Sequence, residues 1–145
     1  MSHTLFVQFA LSTGMLIACV MCHGFGLASL NRALRGEVAV ERLKHIEPLS
    51  PRGALFTLAI VLAIFLLHGI EIWAFTVLYL LLGAIPRFED ALYFSTISYS
   101  TVGYNDMHID AAWRLLGAFE SILGIFLLGW STAFFFRMLG RIDPH

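Results

Sequence analysis

Three long apolar stretches constrain the fold of this chain more than any other feature. They run from Leu5 to Leu30, from Ala54 to Gly83 and from Leu115 to Leu139. Because a helix needs about 20 apolar residues to cross the hydrocarbon core of a bilayer, each stretch is long enough to span it with some tilt. The chain is 59% hydrophobic and 13% charged, and that charged share is about half of what a soluble domain carries. We therefore predict an all-α membrane protein with three transmembrane helices in a lipid bilayer.

The distribution of basic residues predicts how these helices cross the membrane. Residues 31–53 hold five of the nine Lys and Arg residues: Arg32, Arg35, Arg42, Lys44 and Arg52. Arg137 and Arg141 lie at the C-terminal end, and no Lys or Arg precedes the first apolar stretch. Since cytoplasmic loops are enriched in Lys and Arg, we expect a multi-pass protein of the cell membrane with its N-terminus outside and its C-terminus in the cytoplasm. The segment from Ala84 to Arg114 is then also outside.

Residues 31–53 form the predicted cytoplasmic linker and have an amphipathic pattern. Apolar residues recur at roughly helical spacing among charged ones, namely Val38, Ala39, Leu43 and Ile46. Pro48 and Pro51 are expected to end this pattern before the second apolar stretch. The segment is either a helix that lies on the inner membrane surface or a connector held by lipid headgroups.

A short apolar helix is predicted between the second and third apolar stretches. Pro86 is expected to end the second membrane helix, and Asp90 to cap a new helix over Ala91–Ser100. Such a helix rises about 15 Å, half the thickness of a bilayer, so it is too short to span and too apolar for an exposed loop. A re-entrant helix surrounded by protein satisfies both conditions. Its C-terminal carbonyls would lie near the bilayer centre, where their partial negative charge favours a cation.

A distinctive motif follows this short helix directly. Residues 100–106 read Ser-Thr-Val-Gly-Tyr-Asn-Asp. Successive backbone carbonyls can face one axis only if the backbone alternates between left- and right-handed conformations, and Gly103 permits a positive φ without steric cost. Asn105 also tolerates the left-handed region, because its side chain is short and polar. A loop with such alternation can therefore form at this motif.

In this context the motif resembles the selectivity filter of the two-transmembrane, one-pore-loop potassium channel family, with Asn105 in place of the second glycine of that filter. The resemblance covers residues 54–139 as a pore domain of outer helix, pore helix, filter and inner helix. Residues 1–30 would be an extra N-terminal transmembrane helix, and residues 140–145 a short cytoplasmic tail. The resemblance implies a homotetramer, since one loop cannot surround an ion. It also implies that K⁺ is held mainly by backbone carbonyls, here those of Thr101, Val102, Gly103, Tyr104 and Asn105.

The same resemblance implies roles for residues around the filter. Tyr93 and Phe94 match the aromatic pair that packs around the filter as a cuff, and Ser100 matches the hydroxyl position below it. Asp106 matches the acid that braces the filter from behind. Gly124 lies about where inner helices of the family carry a gating glycine, although close helix packing explains this glycine equally well.

Ionisable residues also lie inside the predicted membrane helices. Such residues are either functional groups or buried hydrogen-bonding groups between helices. For Glu120 we favour a buried supporting role with the pore helix as its partner. We favour the same role for His68 and Glu71, which lie three residues apart on one helix face.

Cys19, Cys22 and His23 form a C-x-x-C-H pattern, which is typical of c-type haem attachment. The pattern lies in the middle of an apolar stretch, so we expect these residues to pack against neighbouring helices. We predict no haem and no other organic cofactor. A metal site at the same three residues is not expected either, for want of a fourth ligand nearby.

The predicted function is passive transport of K⁺ through a tetrameric pore. Two alternatives stay open: a weakly selective monovalent cation channel, because of Asn105, and a non-conducting membrane subunit that uses the fold for assembly. An enzyme is not expected, because no nucleophile, base and orienting group cluster in the sequence, and the net charge of −1 does not indicate nucleic-acid binding. No voltage sensor or ligand-binding domain is recognisable. We therefore expect gating by the membrane, the filter or an unidentified regulatory partner.

Overall fold

The structure is a computed structural model that describes residues 2–35, 50–103 and 109–140. These residues form four α-helices and no strand: α1 (Ser2–Ala33), α2 (Pro51–Leu81), α3 (Phe88–Tyr99) and α4 (Arg114–Leu139). A short 3-10 turn, Ala111–Trp113, leads into α4. Helices α1, α2 and α4 are long and apolar enough to cross a membrane. The predicted fold class, an all-α membrane protein with three spanning helices, is confirmed.

The start of α2 is set by a capping residue and a proline. Ser50 is the N-cap, and its hydroxyl accepts a hydrogen bond of 3.1 Å from the backbone N–H of Gly53. Pro51 occupies the first turn, where its missing N–H has no helical partner to lose. Helix α2 therefore begins at Pro51, three residues before the predicted Ala54. Pro51 was expected to end the linker pattern, and it also lies in the first turn of α2. The predicted amphipathic pattern of Val38 to Ile46 lies outside the described residues.

The end of α2 differs from the sequence prediction. Gly83 adopts a φ of 63°, and the next N–H, that of Ala84, donates to the carbonyl of Tyr79 at 2.9 Å. This is the reversal by which helices commonly end at a glycine. Pro86 therefore does not end the helix, because the chain has already left it at Leu81.

The start of the short helix α3 also differs. It begins at Phe88, three residues before the predicted Ala91, and its N-cap is Arg87. Asp90 lies within the first turn and does not cap. Its carboxylate lies 3.6 Å from the Arg87 guanidinium, which also approaches Glu89 at 3.4 Å. The two acids still lie at the helix N-terminus, where the helix dipole favours negative charge.

Helix α3 is packed between α2 and α4, and α1 packs against the outer sides of both. Half of the residues of α3 are buried, and they include Ala91, Phe94, Ile97 and Tyr99. With 12 residues the helix is too short to span a bilayer. Its buried faces are covered by the neighbouring helices.

Candidate functional site

The chain reverses direction immediately after α3 through three backbone hydrogen bonds. The N–H of Ser100 donates to the Thr96 carbonyl at 3.1 Å, and the N–H of Thr101 donates to the Ser98 carbonyl at 2.9 Å. The N–H of Gly103 then donates to the carbonyl of Ile97 at 3.0 Å. The start of the filter-like motif is thereby held against the last turn of α3.

The backbone of this loop alternates in handedness. Thr101 has a φ of 64° and Gly103 a φ of 58°, whereas Val102 between them does not have a positive φ. A positive φ is rare for a β-branched residue and costs of order 1–3 kcal/mol, so the surroundings must impose it on Thr101. Alternation of this kind is the condition for successive carbonyls to face one axis. Tyr104, Asn105 and Asp106 lie outside the described residues.

The predicted aromatic pair on α3 divides between two environments. Phe94 is buried, and its ring meets that of Tyr79 edge to face at 5.3 Å. Its far edge lies against Gly117 of α4, where a Cβ would approach the ring to 2.9 Å. Tyr93 is 55% exposed. Ser100 is also exposed, and its hydroxyl lies 3.4 Å from the Ile97 carbonyl.

Gly124 lies where α4 crosses the C-terminal end of α3. A Cβ at this position would overlap the carbonyl oxygen of Tyr99 and lie 2.8 Å from its carbonyl carbon. Any other residue would therefore force the two helices apart. The structure thus gives Gly124 a packing role at the base of the loop.

Glu120 is completely buried one turn before Gly124 and joins three helices. It accepts hydrogen bonds from the Tyr79 hydroxyl of α2 at 2.6 Å and from the Ser95 hydroxyl of α3 at 2.5 Å. Ser95 Oγ also lies 2.9 Å from the carbonyl of Ile72, and its single proton can serve only one acceptor at a time. Glu120 therefore connects the short helix to α2 and α4 through a carboxylate with two hydroxyl donors.

A second buried carboxylate, Glu71 of α2, meets α3 one turn further along, at Tyr99. One of its oxygens lies 2.8 Å from Nδ1 of His23 on α1. Its other oxygen accepts a hydrogen bond from the Tyr99 hydroxyl and lies 3.3 Å from Nδ1 of His68. His23 Nε2 in turn lies 3.1 Å from the Ser131 hydroxyl of α4. This Glu71 cluster, made of these five residues, connects all four helices.

Sequence reasoning grouped only part of these two networks. It paired His68 with Glu71 from their spacing and expected the short helix to partner Glu120, which contacts Ser95 of that helix. The individual side chains that come from other helices were not assigned: Tyr79, Ser95, Tyr99 and Ser131. Each is a hydroxyl in an otherwise apolar helix, and buried hydroxyls in membrane helices need partners. That signal identifies a candidate donor, but it does not identify the acceptor.

The fold defines a class: a multi-pass α-helical membrane protein with a short helix buried between two spanning helices. The family model described as an ion channel matches residues 55–141, which is more than half of the chain. The chain belongs to this ion channel family, as the motif and the order of helices predicted. The match begins within α2, so α1 lies outside it. Membership of this family points to ion transport rather than to catalysis.

Two further comparisons gave nothing to add to the family match. No curated protein matches the chain, and no solved structure does so.

Proposed function

We propose that this channel protein conducts K⁺ passively through a pore formed by four copies of the chain. The observation that carries the proposal is the alternating φ of residues 101–103, at the end of a buried helix too short to span. Carbonyl oxygens brought to one axis can replace the water around a dehydrating cation. The proposed K⁺ ligands are Thr101, Val102, Gly103, Tyr104 and Asn105, with Asp106 as a brace.

A tetramer is proposed because one loop cannot enclose an ion. Tyr93 is 55% exposed and Val102 51% exposed in a single chain. If α3 lies within the membrane but away from lipid, neighbouring copies of the chain are the natural cover for these residues. Tyr93 would then complete the aromatic cuff that Phe94 begins.

The proposed orientation places the filter loop on the outer side of the cell membrane and both the linker and the C-terminus in the cytoplasm. The basic residues of the linker support this orientation. Bending of α4 at Gly124 would move it away from the Tyr99 backbone, so a gating motion there would act directly on the base of the filter. We propose this as the route by which opening of the inner helix is coupled to the filter.

A weakly selective cation channel is the second candidate, and Asn105 is the observation that favours it. The asparagine adds a side chain at the outer end of the loop, where the resembled family has glycine. A changed outer ion site would weaken the discrimination of K⁺ from Na⁺ while conduction persists.

The test is ion flux through the purified protein in liposomes. Flux of K⁺ and Na⁺ is compared with and without Ba²⁺, which has nearly the size of K⁺ and blocks sites built for it. We expect K⁺ flux to exceed Na⁺ flux by at least tenfold and to be blocked by Ba²⁺. Equal fluxes would favour the weakly selective channel, and Asn105→Gly should then restore selectivity. Absence of any flux from a protein that elutes as a tetramer would favour a non-conducting subunit, and a stable monomer would overturn the pore.

A further inference from the structure

The Glu71 cluster brings together three potential metal ligands from two helices. His23 of α1 and His68 and Glu71 of α2 each offer one ligand atom, and these three atoms lie within 4.8 Å of one another. All three side chains are buried. The Cys19-x-x-Cys22-His23 pattern lacked a further ligand nearby in the sequence, and folding places Glu71 and His68 beside His23. His23 lies 45 positions before His68 and 48 positions before Glu71, so only the fold brings it to the other two residues.

Among the described residues, hydrogen bonding inside the cluster leaves one potential metal-ligand atom, a ring nitrogen of His68, without a partner. The Tyr99 hydroxyl gives its proton to Glu71, so the contact of 2.8 Å between Tyr99 and His68 requires His68 Nδ1 to be the donor. His68 Nε2 then carries a lone pair. It is buried and has no hydrogen-bond partner within the part of the chain that the structure describes. His68 is more than nine-tenths buried, and an orphaned nitrogen at such a position is rare in a folded protein and asks for an explanation.

We propose that His23, His68 and Glu71 form a binding site for a divalent transition-metal ion of the zinc class. Two imidazoles and one carboxylate are a donor set that Zn²⁺ takes in proteins, and it leaves a fourth position open. Ligands bound at 2.0–2.1 Å in a tetrahedron lie about 3.4 Å apart. His23 Nδ1 and a Glu71 oxygen lie 2.8 Å apart, about half an ångström closer than that spacing. His68 approaches Glu71 through Nδ1, at 3.3 Å, so its side chain must rotate for the free Nε2 to reach the ion.

The same groups give reasons for preferring Zn²⁺ over K⁺ or Mg²⁺ at this place. Imidazole nitrogen suits the borderline-soft transition metals, whereas Mg²⁺ and K⁺ prefer oxygen ligands. The Glu71 carboxylate supplies one negative charge, which lowers the cost of placing a dication in a buried site. The Tyr99 hydroxyl, already in contact with Glu71, lies within reach as a polar neighbour.

The location of the site gives it a consequence for the channel. His23 belongs to α1, outside the matched channel domain, whereas Glu71 and His68 belong to α2 inside it. Tyr99, which contacts Glu71, lies two residues before Thr101. A bound ion would therefore fasten the extra helix to the pore domain directly behind the loop. Cation occupancy here would be separate from K⁺ in the pore, because the ligands are different residues.

The test is metal binding by the purified protein in detergent micelles, with any affinity tag removed. Zn²⁺ is titrated against a chromophoric chelator, and Co²⁺ is added as a spectroscopic probe of tetrahedral coordination. We expect one ion per chain, a visible Co²⁺ absorption band and a higher midpoint of thermal unfolding with Zn²⁺. Glu71→Gln, His23→Gln and His68→Gln should each weaken binding by roughly 100-fold or more.

Glu120→Gln is the matched control, because it removes the charge of the other buried carboxylate and leaves the three ligands in place. We expect Zn²⁺ affinity within twofold of the unaltered protein. If Glu71→Gln fails to assemble, His68→Gln carries the test, since it leaves the contacts of Glu71 with His23 and Tyr99 in place. The proposal is overturned if Zn²⁺ binding survives both histidine substitutions, or if Glu120→Gln weakens it as much as Glu71→Gln does. Absence of binding at 100-fold excess of Zn²⁺ over protein also overturns it. All of these readouts are independent of K⁺ flux.

Discussion

Two buried carboxylates hold the short helix α3 at points one turn apart, Ser95 and Tyr99, and they differ in chemistry and in reach. Glu120 of α4 accepts from two hydroxyls, those of Tyr79 and Ser95. Glu71 of α2 meets Tyr99 and two histidines. The first network lies entirely within the channel domain, whereas the second extends to α1 outside it. The Glu120 network therefore connects helices within the channel domain, whereas the Glu71 network connects that domain to the additional helix α1.

The two networks also act at different heights on α3. Ser95 lies one turn before the helix end, whereas Tyr99 is its last residue and precedes Ser100 and Thr101 directly. A disturbance at Tyr99 therefore reaches the loop through a single turn of backbone. The backbone of Tyr99 also rests against Gly124, so this residue is fixed at both its hydroxyl and its carbonyl.

The largest effect is expected from Gly124→Ala. The added Cβ would overlap the carbonyl of Tyr99, and relief requires α3 and α4 to separate. Overpacking of this kind costs about 1–3 kcal/mol and can cost more. We expect loss of tetramer assembly or of selective K⁺ flux, measured by size-exclusion chromatography and liposome flux.

Gly129→Ala on the same helix is the control for that prediction. Nothing within 4 Å would meet a Cβ at Gly129 in the single chain, and alanine favours helix formation by about 1 kcal/mol. If both variants assemble and conduct equally well, the backbone contact between α4 and α3 is not needed for the pore.

The next effect compares Glu71→Ala with Glu120→Ala. Removal of Glu71 takes this carboxylate from three side chains, His23, His68 and Tyr99, although His68 and Tyr99 keep their mutual contact of 2.8 Å. Removal of Glu120 affects two, and one of these, Ser95, keeps the Ile72 carbonyl at 2.9 Å. Since a buried group without a partner costs about 1–3 kcal/mol, Glu71→Ala should lower the free energy of unfolding more. Denaturant titration of the purified protein in micelles measures this difference, and an equal or reversed order would contradict it.

The sequence was sufficient to predict the helices and insufficient to predict these networks. Apolar length alone identifies α1, α2 and α4, because the bilayer requires about 20 apolar residues of each. Where several local signals competed, as for Gly83 against Pro86 or for Arg87 against Asp90, the helix ends differed by a few residues. Gly83 ends α2 because it precedes Pro86 in the chain and already adopts the left-handed conformation.

The contacts across helices could not be read from spacing. His68 and Glu71 are three residues apart, so one helix turn already brings them together. His23 and Glu71 are 48 residues apart, and Tyr79 and Glu120 are 41 apart. Which of these groups meet depends on the rotation and depth of each helix, and those are set by the packing of all the helices at once.

A smaller effect is expected from removing one hydroxyl from each of the two networks. Tyr99→Phe and Tyr79→Phe each delete one hydrogen bond to a carboxylate and keep the aromatic ring. Each should lower the free energy of unfolding by about 1–3 kcal/mol. Only Tyr99→Phe should also lower the ratio of K⁺ to Na⁺ flux, because Tyr99 directly precedes the loop. A fall in that ratio of the same size in Tyr79→Phe would remove the distinction between the two networks.

The smallest effect is expected from Ser95→Ala, which tests where the shared proton of Ser95 resides. If the hydroxyl donates mainly to the Ile72 carbonyl, its loss costs about 1 kcal/mol or less, since that bond is a neutral one. Donation to Glu120 would be a bond to a buried carboxyl group, and its loss would cost about 1–3 kcal/mol because a buried acceptor loses its partner. The distance of 2.5 Å to Glu120 against 2.9 Å to Ile72 favours the carboxylate.

We therefore expect Ser95→Ala to lower the free energy of unfolding by about 1.5 kcal/mol, near the lower limit for such a bond because the Tyr79 hydroxyl still donates to Glu120. Ser121→Ala is the control, since within the described residues that hydroxyl donates to the Gly117 carbonyl of its own helix at 3.1 Å. It should change the free energy of unfolding by about 0.5 kcal/mol or less. Equal effects of the two variants would place the Ser95 proton on Ile72 and leave Glu120 joined to α2 but not to α3.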